Sequence, residues 1–348
     1  MSDQVHPTQL STVMLQPASR SARTIFVSAL LAVAIIIFPF FATPFHLDVA
    51  NQILLASIGA LSLMLLTGFA GQISLGHAGL IAAGAFTAGI LSKEAGAPFW
   101  IGIPAAGATG GLLGLIFGLP SLRLRGVYLA VSTLALHFIV VYAGGEYENL
   151  VGGSGGILIP PPSLWGLKIN TGKAWYVLLV AGAILAFLVT WNVVRSRTGR
   201  AFAAVHGRET VAAALGINVA RTKLTAFVIS SSMTAIAGAL FAYYRGFVSI
   251  EAFSLYLSIQ YIAMIIIGGI GTLPGAFLGA LFVTLLPYLI ETVVAHLPGA
   301  QAMAGSIFAV NYAAFGLVMI VFLVFEPSGL VGLWRRLERR LLIGRQSP

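Results

Sequence analysis

Cysteine is absent from the 348-residue chain, which removes disulfides, thiolate metal sites and thiol catalysis. Charge is scarce: Asp, Glu, Lys and Arg make up 8% of the residues, and only ten of them are acids. The six histidines are scattered, without a His-x-x-x-His pair, and the acids sit mostly at the edges of apolar runs. No cluster of acids, histidines or nucleophiles therefore points to catalysis or to a metal. A phosphate-binding loop is missing too, because Gly172–Lys173 lacks the earlier glycine and is followed by Ala174 rather than Ser or Thr. If ATP drives this protein, another chain hydrolyses it. The chain is expected to be a non-catalytic subunit with no cofactor, no metal and no nucleic-acid partner.

What the chain has instead is apolar length. Hydrophobic residues make up 58% of it and its mean hydropathy is +0.97, more than a water-soluble surface accommodates. Apolar segments of roughly 17–25 residues recur between Ile25 and Phe325, each long enough to cross about 30 Å of hydrocarbon as a helix. Backbone groups in lipid must be satisfied internally, and these runs are too long for barrel strands. The fold class is an all-α, polytopic helical membrane protein. Its 40 glycines include Gly107, Gly110, Gly111, Gly114 and Gly118 at steps of three and four, a spacing that lets membrane helices pack closely.

Ten spans are expected, near Ile25–Phe41, Val49–Leu66, Gly76–Leu91, Phe99–Leu119, Val127–Ala143, Ala174–Val194, Leu224–Tyr244, Leu255–Ile270, Gly275–Ile290 and Ile307–Phe325. With both termini cytoplasmic, the inner side holds every Lys and Arg except Lys93, Lys168, Lys173 and Arg245, as the accumulation of basic residues in cytoplasmic loops requires. The expected organisation is a cytoplasmic tail at 1–24, a permease domain at 25–326 and a basic amphipathic tail at 327–348. The first apolar run lacks the exit of a cleaved signal and reads as a retained helix. In the C-terminal tail, Leu337, Leu341 and Leu342 alternate with arginines suited to anionic lipid. Residues 144–173 form an external, turn-rich loop, either a docking surface or a connector.

Residues 195–223 interrupt the apolar pattern. They carry Arg195, Arg197, Arg200, Arg208, Arg221 and Lys223, six of the nineteen basic side chains, against the single acid Glu209. A short helix is predicted over Ala201–Ala214, stopped by Gly216, either to fit a cleft on a partner or merely to join two spans. Two further breaks, Gly71–His77 and Gly268–Gly275, put glycines and polar groups into apolar surroundings, where freed backbone groups can line a cavity. The candidate path residues are Gln72, Ser74, His77, His137 and Asn311. Each either meets the substrate or bonds across helices.

Five collinear runs carry a resemblance. GQISLGHAGLIAAGAF at Gly71–Phe86, PSLRLRGVYLAVSTLA at Pro120–Ala135, GGSGGI at Gly152–Ile157, the run Gly199–Ala242 and IGGIGTLPGAFLGA at Ile267–Ala280 are similar to segments of LivM-type permeases of bacterial branched-chain amino acid ABC importers. The resemblance spans residues of about 50 to 332 and implies a multi-pass inner-membrane subunit. It also implies a sister permease in a heterodimer, two cytoplasmic ATP-binding subunits and an extracytoplasmic substrate-binding protein as partners. Residues 195–223 would be the cytoplasmic coupling loop, with Arg200, Glu209, Ala213 and Gly216 facing the ATPase. Where many relatives carry a Gly-Glu pair, this chain has His137-Phe138, which leaves urea, short amides or aromatic acids as alternative substrates. A stand-alone secondary transporter or channel is the rival class. It calls for ionisable residues inside the spans, and the chain offers almost none beyond His77 and His137.

Overall fold

The computed structural model describes Val33 and residues 35–122, 126–151, 156–164, 167–296, 307–326 and 328–343. The expected N-terminal tail, most of the first span, Arg123, Arg125 and Gly152 to Gly155 lie outside the described residues, as do the side chains of Leu337, Leu341 and Leu342. The chain divides into a unit over Met1–Leu47 and a unit over Asp48–Pro348. In the first unit, residues 35–41 are helical and expose Ile36, Phe40 and Phe41. The Thr43 hydroxyl accepts from the His46 amide at 3.4 Å, satisfying a donor at the helix start that follows.

Helix α1 (Pro44–Leu63) widens into a π-helical turn over Met64–Phe69 and is ended by Gly71 at φ +69°, a left-handed conformation that glycine adopts without strain. After an irregular stretch come α2 (His77–Glu94), α3 (Phe99–Ser121) and α4 (Val127–Val151). Short strands β1 (Ile157–Leu158), β2 (Ser163–Leu164) and β3 (Leu167–Lys168) lead to α5 (Gly172–Arg195). Two short helices, α6 (Arg197–Gly207) and α7 (Glu209–Ala214), precede α8 (Val219–Arg245). Strand β4 (Phe247–Val248) and a 3-10 turn at Ile250–Phe253 connect to α9 (Leu255–Gly268) and α10 (Leu273–Ala295). Helices α11 (Ile307–Phe325) and α12 (Gly329–Ile343) complete the described chain.

Six helices are long and apolar enough to cross a membrane among the described residues: Pro44–Phe69, Phe99–Pro120, Tyr128–Val151, Gly172–Arg195, Val219–Arg245 and Leu273–Val293. They answer six of the ten expected spans. Two others are shorter or less apolar than expected. Helix α2 is bounded by His77 and by Lys93-Glu94. Helix α9 stops after 14 residues at Gly269, whose φ is +117°, so it rises only about 21 Å. Helix α11 covers the expected span Ile307–Phe325 in full and is apolar apart from Asn311.

Helix α8 packs between α2 and α3, and small residues set the approach. A Cβ at Gly238 would strike the Ile81 carbonyl, and one at Gly84 would strike that of Ala235. Along α3, Gly110, Gly111 and Gly114 meet Ser231, Ser232 and Ala235 in the same way, so the predicted glycine stripe is the face turned to α8. Helix α1 is also deeply buried, whereas only 22% of α5 is, which places α5 at the periphery of this chain. The two irregular segments touch: a Cβ at Gly68 would lie 2.8 Å from the Gly271 nitrogen, which donates to Met64 Sδ at 3.2 Å.

Helix α4 continues to Val151, eight residues into the expected external loop. Among the described residues that follow, β1 packs against the strand after α8. Strand β1 pairs antiparallel with β4, Ile157 is buried, and Glu148 Oε1 accepts from the Ile250 amide at 2.8 Å.

Candidate functional site

The basic segment between α5 and α8 is built from two helices, where one was expected. Ser196 caps α6, its Oγ accepting from the amides of Thr198 at 3.1 Å and Gly199 at 3.3 Å. Arg208 then adopts an extended conformation (φ −153°, ψ 110°) and breaks the helix before α7 begins at Glu209. Gly216, at φ +83°, ends α7, and Asn218 caps α8 by accepting from the Arg221 amide at 2.9 Å. Phe202, Val205 and Ala212 are buried. They plant the two helices on the body of the protein, an apolar stripe that stabilises them beyond their weak intrinsic propensity.

The four residues expected to face an ATPase do not act alike. Arg200, Ala213 and Gly216 are exposed. Glu209 points inward, its Oε1 2.5 Å from Lys223 Nζ, with side-chain exposures of 28% for the acid and 9% for the amine. Val211 on α7 and Leu215 at its C-cap, one turn apart, are 49% and 75% exposed. They are apolar groups on an outer face that the sequence reading passed over. The spacing of four residues flanking buried Ala212 was the available signal.

Lys223 joins this loop to the break after α1. Its carbonyl accepts from Gln72 Nε2 at 3.1 Å, while the Gln72 carbonyl accepts from Thr67 Oγ1 at 3.0 Å. Gly71 packs against the His206 ring, because a Cβ there would lie 2.5 Å from it. Between the break and the loop lies a cleft of about 350 Å³ lined by Gln72, His206, Arg208, Glu209 and Lys223 among others. The structure thus brings Gln72 and Glu209 together through one lysine.

The other path candidates are placed differently. Ser74 is buried and accepts from the Gly76 amide at 3.3 Å. Two amides in and just after the break have side-chain partners: Leu75 donates to Thr133 Oγ1 and Ala78 to Ser258 Oγ, both at 2.9 Å. His77 is buried, its Nδ1 3.5 Å from Thr234 Oγ1 and its ring 4.7 Å from that of Tyr261. Thr234 in turn lies 2.8 Å from Ser62 Oγ, and Ser230 donates to the Ser62 carbonyl at 2.7 Å. This chain of small polar groups ties α1, α2 and α8 in the core, where an unsatisfied polar group is costly. His137 is buried beside Gly79 with no hydrogen-bond partner for Nδ1 among the described residues. The Asn311 side chain lies outside the described residues. No group of three or more potential metal ligands occurs among the described residues.

The comparisons with known proteins agree with this architecture. Residues 45–324 match the family model of the branched-chain amino acid transport system permease component. The chain is 30% identical over 335 residues to the high-affinity branched-chain amino acid transport system permease protein LivM of Salmonella typhimurium strain LT2, covering 89% of this chain and 75% of that protein. The Escherichia coli strain K12 protein of the same name shows the same identity and coverage. The autoinducer 2 import system permease protein LsrC of Enterobacter sp. strain 638 is 34% identical over 188 residues, 51% of this chain and 52% of that protein. No solved structure matches the chain. With a family model matching most of its length, the chain belongs to the branched-chain amino acid transport permease family, a multi-pass inner-membrane component of ABC import systems.

Proposed function

We propose that this chain forms half of the translocation path of an importer for branched-chain or similar apolar amino acids, driven by ATP hydrolysed on two partner subunits. Its other partners are a sister permease, as a heterodimer, and an extracytoplasmic binding protein. Ten spans with both termini in the cytoplasm complete this reading, supported by the distribution of basic residues. The substrate class rests on the relatives named for it.

The observation that carries the coupling role is the Glu209–Lys223–Gln72 connection. A surface loop that only joined two spans has no need to bury a lysine to 7% exposure, because taking a charge out of water is costly without a well-placed partner. Here the buried lysine locks α7 to α8 at the point where the broken end of α1 is also attached. A push on the outer face of α7 (Val211, Ala213, Leu215) therefore reaches the membrane helices as a rigid movement.

The test is purification of the protein from mildly solubilised native membranes, followed by uptake in proteoliposomes. Two nucleotide-binding subunits and a second permease should co-purify, and labelled leucine should enter only with ATP. Transport by the isolated chain without ATP would make it a secondary transporter. ATP-driven uptake of urea, a short amide or an aromatic acid in place of leucine would overturn the substrate class alone.

A further inference from the structure

At the end of α8 remote from the coupling loop, α1, α2, α8, α9 and α10 enclose a second cleft of about 380 Å³. That volume is at the small end of ligand pockets and fits one small molecule. Its lining changes character along its depth. Ile81, Tyr261, Met264 and Val283 are buried at its floor, whereas Arg245 and Glu291 are exposed at its rim. No ion pair joins Arg245 to Glu291 among the described residues, so one cation and one anion of opposite sign border the same opening.

A polar network borders the rim. Gln52 Nε2 donates to Asp48 Oδ2 at 2.7 Å and to the Tyr288 hydroxyl at 3.2 Å, and the Tyr244 hydroxyl donates to Asp48 Oδ1. This network links α1, α8 and α10 beside the opening, and Arg245 and Glu291 line the cleft from two of those helices. Arg245 ends α8, where the helix dipole favours a cation.

We propose that this cleft is the substrate vestibule of the permease, with Arg245 binding the carboxylate and Glu291 the ammonium of a free α-amino acid whose apolar side chain enters toward Ile81, Met264 and Val283. The proposal rests on the importer reading above and gives it a location. A guanidinium matches the carboxylate fork in a bidentate manner, and an uncharged floor admits aliphatic side chains with little discrimination among them. Helix α8 has 27 residues and spans about 40 Å, so this rim opens on the side opposite the coupling loop, the side from which an importer takes its cargo.

Because the chain has no cysteine, the vestibule can be probed by a single thiol in the intact, ATP-loaded importer. Thr284→Cys, and independently Gln260→Cys, place it in the cleft, and labelling of this chain by a methanethiosulfonate reagent is followed by mass. L-leucine should slow labelling by about tenfold or more, the range set by charge-assisted hydrogen bonds. Leucinamide, which lacks the carboxylate, and 4-methylpentanoate, which lacks the ammonium, should not. Arg245→Gln and Glu291→Gln should each abolish protection by leucine while the ATPase subunits still co-purify. Protection that survives both substitutions, or its absence in an importer that still takes up leucine with ATP, overturns the vestibule and leaves the importer reading intact. Absence of ATP-driven leucine uptake before any substitution overturns the two together.

Discussion

Replacing Lys223 by Met removes the ammonium, keeps most of the stem and takes the Lys223 ion pair from the Glu209 carboxylate, which is 28% exposed. Stranding a fully buried ion costs about 3–5 kcal/mol and losing an exposed pair about 0–1 kcal/mol. With one partner nearly buried and the other partly wet, the loss should be about 2 kcal/mol. That is too little to unfold a core of this size and enough to detach α7 from α8. In proteoliposomes leucine uptake should fall at least tenfold while the partner subunits continue to hydrolyse ATP, and chromatography in detergent should show unchanged abundance with a melting point a few degrees lower. Glu209→Lys should be worse, since two ammonium groups about 4 Å apart repel by up to about 4 kcal/mol at a dielectric constant near 20. The double exchange, Glu209→Lys with Lys223→Glu, should recover part of the uptake. The deciding quantity is the coupling energy from a double-mutant cycle on Glu209→Gln and Lys223→Met. A value within about 0.3 kcal/mol of zero, or full uptake in the single variants, refutes the transmission role.

Two further outcomes follow from the packing. Gly238→Val should prevent accumulation of folded protein, because its Cβ has no room beside the Ile81 carbonyl, whereas Gly145→Ala, with no atom within 4 Å, should be neutral; both are read as monodisperse yield after solubilisation. Leu215→Glu should abolish co-purification of the ATP-binding subunits without changing the melting point of the isolated chain, since this side chain is 75% exposed and contributes little to the fold.

Helical class and helix packing were legible where chemistry repeats locally. The glycine spacing along α3 pointed to a close helix contact, and the structure supplies α8 as the partner. Span number was harder to read, because hydropathy does not reveal where a helix stops. Helix α9 ends at a glycine with positive φ inside a continuous apolar run. The inward turn of Glu209 was not legible either. One acid among six bases has no evident partner until α7 folds back on α8. The vestibule was invisible for a related reason, since Gln52, Arg245 and Glu291 lie far apart in the chain and meet only through packing of α1, α8 and α10. Arg245 had been counted only as an exception to the distribution of basic residues.

The contact between Gly68 and Gly271 has a mechanical meaning. Side chains between two moving segments act as springs, because each rotamer change absorbs a few tenths of an ångström before the next element is disturbed. Here main chain rests on main chain, with the Met64 thioether beside it, and there is almost nothing to compress. The early break of the chain cannot shift without carrying the late one with it. On the coupling role proposed above, a displacement entering at Gln72 would reach α9 and α10 with little slack, in the manner of a gear rather than a cushion.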